Sequence, residues 1–275
     1  MRAALCALCM FSSWACSDED SNAKQASVAA SAADARHTDP ASTAEPSGAD
    51  DLPALAVEES LPIVFVHGFA GSAQQFQSQA MRFAANGYPA ERLYAYEHNG
   101  AGTAVADFIP GLDAMVDEAR DKFDSDKVYL IGHSRGTSLS SLYLSDSTHA
   151  AKVAKYIALD GAGCGSIPVP CIAPAQTTNM RGTQTHPLPG QKHVEVATSK
   201  ESFAVQFEFL FGRAPDVVDI VKQRVPVVIS GRAVNFPANT GREGTKLALW
   251  EIAADTGARV GTKAAATFDI GADGK

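Results

Sequence analysis

The chain has 275 residues, of which 45% are apolar and 20% charged, an ordinary balance for a soluble globular protein of one or two domains. Its formal net charge of −8 is concentrated between residues 17 and 60, where ten acids face only Lys24 and Arg36; from Leu61 onward twenty basic residues face twenty-one acidic ones. No basic field exists to neutralise phosphates, so nucleic acid is excluded as a partner, and the near-neutral body suits uncharged substrates.

The amino terminus reads as an export signal over residues 1–16. Arg2 supplies the positive start, and Ala3 to Phe11 supply an apolar core too short to stay in a bilayer as a spanning helix. Cys16, after Ala15 and before Ser17-Asp18-Glu19, resembles a bacterial lipoprotein site, although Ser13 and Trp14 depart from that pattern, and ordinary cleavage near here is the alternative. The first reading attaches the chain to a membrane surface through a lipidated Cys16; the second releases it. Residues 17–60 are rich in Ser, Ala, Asp and Pro and hold no aromatic residue, so they are expected to form a disordered tether.

From residue 61 the pattern alternates between short apolar runs and longer amphipathic ones. Strands are expected at Ile63 to Val66, Arg92 to Tyr96, Lys127 to Ile131 and Val153 to Leu159. Helices are expected around Ala73 to Asn86, Phe108 to Phe123, Thr137 to Ser145 and Lys200 to Phe211. The Gly/Pro-rich stretch from 160 to 190 reads as irregular. This order gives an α/β fold with a doubly wound, mostly parallel sheet over residues 61–224.

Two expected strands run into glycine-rich turns, His67-Gly68-Phe69-Ala70-Gly71 and Gly132-His133-Ser134-Arg135-Gly136. In an open parallel sheet both lie at the carboxyl rim, where chemistry collects. The second is strand, sharp turn, helix with a serine at the turn, the pattern of a nucleophile elbow in which strained dihedrals push the hydroxyl outward. Ser134 is the candidate nucleophile.

A serine hydroxyl needs a base, and the base an orienting acid. His149, His186 and His193 follow Ser134; His149 falls where the elbow helix ends and is expected to be solvated there. His193, ahead of the helix-start signal Ser199-Lys200-Glu201-Ser202, is the preferred base, and His186 is expected on an exposed loop. Asp160 ends an apolar run and opens Gly161-Ala162-Gly163, a strand-end address that makes it the expected catalytic acid, with a turn or capping aspartate as the alternative. Asp146 is expected to cap a helix. The amides of Phe69 and Arg135 are the expected oxyanion donors, with His67 and His133 bracing the turns. Tyr94, Tyr96 and His98 lie on the next rim loop, where they would line an acyl pocket or pack as core. The segment from Cys164 to Pro189 reads as a lid or as a structural loop.

These motifs resemble the α/β-hydrolase superfamily, more closely its bacterial and archaeal lipases, which carry a similar His-Gly turn before a Gly-His-Ser-X-Gly elbow. The resemblance runs from Leu61 to the last residue. Leu159 to Gly163, His193 to Ser199 and Asn235 to Gly241 look like a subgroup whose lipase domain precedes a β-rich domain. It implies catalytic roles for Ser134, Asp160 and His193, a small-molecule or lipid ester as substrate, and no metal or organic cofactor. A thioesterase, a polyesterase or a non-catalytic lipoprotein that binds lipid or a partner are the alternatives.

Cys164 and Cys171 are close in sequence and, in an exported protein, are expected to pair, with two free thiols as the alternative. Past Arg224 the pattern turns to period two at Val225 to Ser230, Leu247 to Ile252 and Ala266 to Ile270, separated by Gly-containing turns. Residues 225–275 are therefore expected to form a short antiparallel β module. It is brief for a sandwich core and stops on a turn, which reads as truncation.

Overall fold

The computed structural model describes residues 60–176, 185–221 and 231–275. The expected export signal, Cys16, nearly all of the tether and the expected strand at Val225 to Ser230 lie outside the described residues. Among the described residues, Leu247–Phe268 form one compact unit; the other runs from residue 60 to Lys246 and takes in Asp269–Lys275.

The larger unit is built on six strands: β1 (Ile63–Val66), β2 (Leu93–Tyr96), β3 (Val128–His133), β4 (Val153–Leu159), β5 (Cys171–Ala175) and β6 (Thr185–Pro187). They form one sheet in the order β2-β1-β3-β4-β5-β6, with every neighbouring pair parallel. The chain steps from β1 outward to β2 and then back across to β3. The switch in direction therefore falls between β1 and β3, and the carboxyl ends of these two strands flank the crevice where ligands bind in such sheets.

The helices are α1 (Gln77–Ala85), α2 (Ile109–Lys122), α3 (Arg135–Leu144), α4 (Ser147–Ala151), α5 (Glu195–Thr198) and α6 (Lys200–Phe211). Single 3-10 turns lead into α1 and α2 and precede β2. The helices divide between the two faces because the strands are apolar on both. Ile63, Phe65, Tyr129, Ile131, Ile157 and Leu159 join a core with Phe83 of α1 and Phe203, Phe207 and Leu210 of α6. Val64, Val66, Val128, Leu130, Tyr156 and Ala158 join another with Leu112 and Val116 of α2 and Leu139 and Tyr143 of α3. Alternate residues of each strand thus serve opposite faces, and only continuous apolar runs satisfy both. β1 and β3 are buried along their whole length.

Two strands appear where the sequence reads as irregular. β5 contains Pro174, which argues against an interior strand. The sheet accommodates it by using proline carbonyls: the amide of Tyr156 donates to Pro170 O at 2.9 Å and that of Asp160 to Pro174 O at 2.9 Å. The missing proline N–H costs no bond on that side. The stretch from Cys164 to Pro189 is therefore not a lid as a whole, since two of its segments belong to the central sheet. His186 stands in β6, exposed, rather than on a loop.

The Cys164–Cys171 disulfide closes the turn that leads into β5. Asp146 caps α4, accepting from Thr148 N at 2.7 Å and His149 N at 3.3 Å. His149 is packed rather than merely solvated, stacked on Tyr143 with centroids 4.3 Å apart.

The carboxyl-terminal strands are short: β7 (Val234–Asn235) pairs antiparallel with β8 (Thr240–Gly241), and β9 (Lys246–Leu249) pairs with β10 (Ala266–Asp269). In the smaller unit the Ala265 amide donates to Leu249 O at 2.8 Å, Ile252 bridges Arg259, and the Arg259 guanidinium lies 4.5 Å over the Trp250 ring.

Candidate active site

β3 ends at His133 and α3 begins at Arg135, which leaves Ser134 alone in the turn. Its backbone sits at φ 54, ψ −123, a left-handed position that costs a non-glycine residue of order 1–3 kcal/mol. Neighbours hold it there. The Ser134 amide donates to Leu159 O at 2.9 Å, and its carbonyl accepts from the Thr137 amide at 2.9 Å and the Thr137 hydroxyl at 2.6 Å. Gly136 is needed because a Cβ there would run into the Val66 carbonyl. A Cβ on Gly68 would lie 2.8 Å from Ser134 Cβ and 3.3 Å from its Oγ. The two glycine-rich turns therefore meet at the serine.

His193 and Asp160 converge on the same rim. Asp160 follows β4 with its backbone at φ 43, and its side chain is 5% exposed. His193 Nδ1 lies 2.6 Å from Asp160 Oδ2, a short contact of the charge-assisted kind. The imidazole is 48% exposed, so its other edge is open to a ligand. Among the described residues Ser134 Oγ makes no hydrogen bond to His193. The His193 ring lies 4.6 Å, centroid to centroid, from that of His133, the residue before the serine. Nucleophile–base contacts are commonly long before substrate binds.

Two glutamines complete this group. Gln176 donates through its amide to Asp160 Oδ1 at 3.3 Å and through Nε2 to Oδ2 at 2.9 Å, so the carboxylate is held on two sides. Gln75 Nε2 lies 2.5 Å from His133 Nδ1, while His133 Nε2 lies 2.9 Å from the His193 carbonyl. A carbonyl only accepts, so Nε2 of His133 carries the proton and Nδ1 accepts from Gln75. Burial pushes His133 down to about 4, which keeps this neutral tautomer near pH 7. His133 thus ties α1's lead-in turn to the His193 backbone. Sequence offers no signal for Gln75 or Gln176, because glutamine is at home anywhere on a surface.

The turn after β1 is braced as expected. His67 is fully buried, its Nδ1 2.9 Å from Gly68 O and its Nε2 3.1 Å from Glu97 Oε1. His98 stacks on His67 at 3.8 Å and on Phe108 at 4.8 Å, and burial pushes it down to about 4. Tyr96 donates to Phe108 O at 3.0 Å. His98 and Tyr96 thus pack against and brace this rim. Among the described residues, the amides of Phe69 and Arg135 are bonded to no protein acceptor, and the Phe69 side chain is 59% exposed. Arg135 donates through its guanidinium to Gly102 O and, at 3.0 Å, to Asn99 O, and it lies 5.3 Å over the Phe69 ring. The site therefore presents a strained serine, a histidine–carboxylate pair and two backbone donors.

Residues 59–193 match a protein-family model described as serine aminopeptidase, S33, and residues 225–275 match one described as a lipase C-terminal domain. Similar solved structures include lipase B of Aspergillus fumigatus, at 12% identity and TM-score 0.46, covering 61% of this chain and 57% of that one. A CIB-like hydrolase of Thermoplasma acidophilum aligns at 12% identity and TM-score 0.43, covering 58% and 90%. The lipase BlEst2 of Bacillus licheniformis aligns at 24% identity and TM-score 0.34, covering 45% and 24%.

Proposed function

We propose that this chain, a lipase-like α/β-hydrolase, is a serine carboxylic-ester hydrolase that works through an acyl-enzyme. The observation that carries the reading is the 2.6 Å contact between His193 Nδ1 and Asp160 Oδ2, made beside a serine held at φ 54. A general base oriented by a buried carboxylate next to an elbow serine is the arrangement that activates a hydroxyl.

In the proposed reaction Ser134 Oγ attacks the ester carbonyl carbon as its proton passes to His193 Nε2. Asp160 accepts the Nδ1–H and stabilises the resulting imidazolium. The carbonyl oxygen becomes an oxyanion, received by the amides of Phe69 and Arg135; loss of one such donor typically costs about 3 kcal/mol. His193 then protonates the departing alkoxide, which leaves Ser134 acylated. Water, deprotonated by His193, attacks the acyl carbon, and the serine departs with its proton restored.

Ser134→Ala decides the reading. Cleavage of p-nitrophenyl esters should fall by about a millionfold with the circular dichroism unchanged. Retained turnover would sink it. The match to a model described as a serine aminopeptidase makes an amino-acid p-nitroanilide the informative second substrate, and faster cleavage of the anilide than of the ester would move the reading to peptide bonds. We extend the proposal to export through residues 1–16 with lipid on Cys16, for which the mass of the mature amino terminus is the test. A terminus cut elsewhere and without lipid would overturn the membrane attachment.

A further inference from the structure

The hairpin of β7 and β8 lies within the span that matches the lipase C-terminal domain model, yet its turn is bonded to the rim of the hydrolase body. Asn239, 4% exposed, donates through Nδ2 to two carbonyls, Gly71 O at 2.8 Å and His98 O at 2.9 Å. Two acceptors fix which end of the amide points inward. Pro237 O accepts from the Gly100 amide at 2.7 Å, and Gly100 O in turn accepts from the Ala70 amide at 2.9 Å. Gly100 is pinched between the two: a Cβ there would lie 2.7 Å from Gly71 O and 2.9 Å from Pro237 O.

Two of these four bonds end on the residues that follow Phe69, at Gly71 O and at the Ala70 amide, and the other two anchor His98 and Gly100 beside them. Ala70 sits at φ 50, a strained position for alanine, so the turn keeps its shape only while its surroundings impose it. Ala70 is held through Gly100, and Gly71 is held by Asn239. Both held residues follow Phe69 directly in the chain. We propose that Asn239 is a positioning residue for the reaction: it holds the 67–71 turn so that the Phe69 amide points at the developing oxyanion. The carboxyl-terminal hairpin then forms part of the catalytic apparatus. The inference builds on the serine-hydrolase reading above and adds a residue to it.

The test uses the full chain with Asn239→Asp, nearly the same shape but with a carboxylate facing two carbonyls, and Asn239→Ala, which removes the donors without repulsion. Ser134→Ala is assayed beside them. A misdirected oxyanion donor should lower kcat for a p-nitrophenyl ester by about tenfold to about a hundredfold and leave KM within about twofold. Affinity for a trifluoromethyl ketone, which binds as a tetrahedral adduct, should fall by the same factor as kcat/KM; loss of general stability alone would not produce that match. Wild-type kcat and inhibitor affinity in a folded Asn239 variant, with Ser134→Ala inactive, would overturn the proposal and spare the enzyme reading. Turnover retained by Ser134→Ala would overturn both. Should neither Asn239 variant fold, amide exchange in the unaltered chain decides: the Gly100 and Ala70 amides must exchange slowly, and rapid exchange there refutes the hairpin's hold on the turn.

Discussion

The turns that end β1 and β3 meet at Ser134, but they are held by different parts of the chain. The elbow after β3 rests on its own helix and on the adjacent strand: Gly132 and Gly136 allow strand and helix to close up, Thr137 donates to the Ser134 carbonyl, and Leu159 of β4 accepts from the Ser134 amide. The turn after β1 is supported from far along the sequence, by Glu97 and His98, by Gly100, and by Pro237 and Asn239. One turn is held mainly by its own helix and the next strand of the sheet, the other by an assembled rim that includes the last segment of the chain. Substitution near the elbow should therefore act on chemistry or folding directly, whereas the other turn should be open to perturbation from remote residues.

After the loss of the nucleophile itself, the largest expected effect tests the chemistry proposed for the elbow side. Asp160→Asn keeps the side chain's size but removes the charge that fixes the His193 tautomer, and kcat should fall by about ten-thousandfold with KM little changed. A loss under about tenfold would assign Asp160 the bland role of a turn aspartate.

Acid titrates both turns. His133 and His98 are buried neutral at about 4, while an unfolded histidine takes its proton near 6.5. Between these values the unfolded chain binds more protons, so folded stability falls as pH drops from 6.5 and levels off near 4. The linkage amounts to about 3 kcal/mol for each ring. Urea midpoints measured across this range should slope most steeply for the unaltered chain and less for His133→Gln. Parallel slopes would show that the ring titrates freely in the folded state.

The disulfide belongs to neither turn and serves as the control. Cys164→Ser with Cys171→Ser should cost about 2–3 kcal/mol, read as a lower melting temperature, and leave turnover unchanged. A drop in kcat would tie β5 to the site through Gln176.

The smallest effect sharpens the contrast. Gly100→Ala pushes a methyl between Gly71 O and Pro237 O, and a loss of about tenfold in kcat is expected from a displaced Phe69 amide. Wild-type activity in this variant would mean that the β1 turn keeps its shape without the packing at Gly100.

The parts of this molecule that sequence discloses are those whose cause lies within a few residues. Val153–Leu159 and Lys200–Phe211 form the expected strand and helix because the apolar run Tyr156 to Leu159 and a Ser199 cap are local signals. β5 and β6 were hidden because proline reads as a breaker until a neighbouring strand supplies amides to its carbonyls. The elbow, with glycine on both sides of Ser134, was legible for the same reason as the strands. Gln75, Gln176 and Asn239 were not, since each acts on a partner many residues away and carries no pattern of its own.

The order of apolar runs and glycine turns alone settled a parallel α/β sheet with a serine at its rim, because side-chain period and backbone sterics are written residue by residue. Which side chains hold Asp160 and His133, which amides hold the turn after β1, and how a hairpin from the last segment comes to lie against that turn were decided only by the tertiary structure. Hydrogen bonds between distant residues depend on positions in space, and only packing of the whole sheet sets those positions.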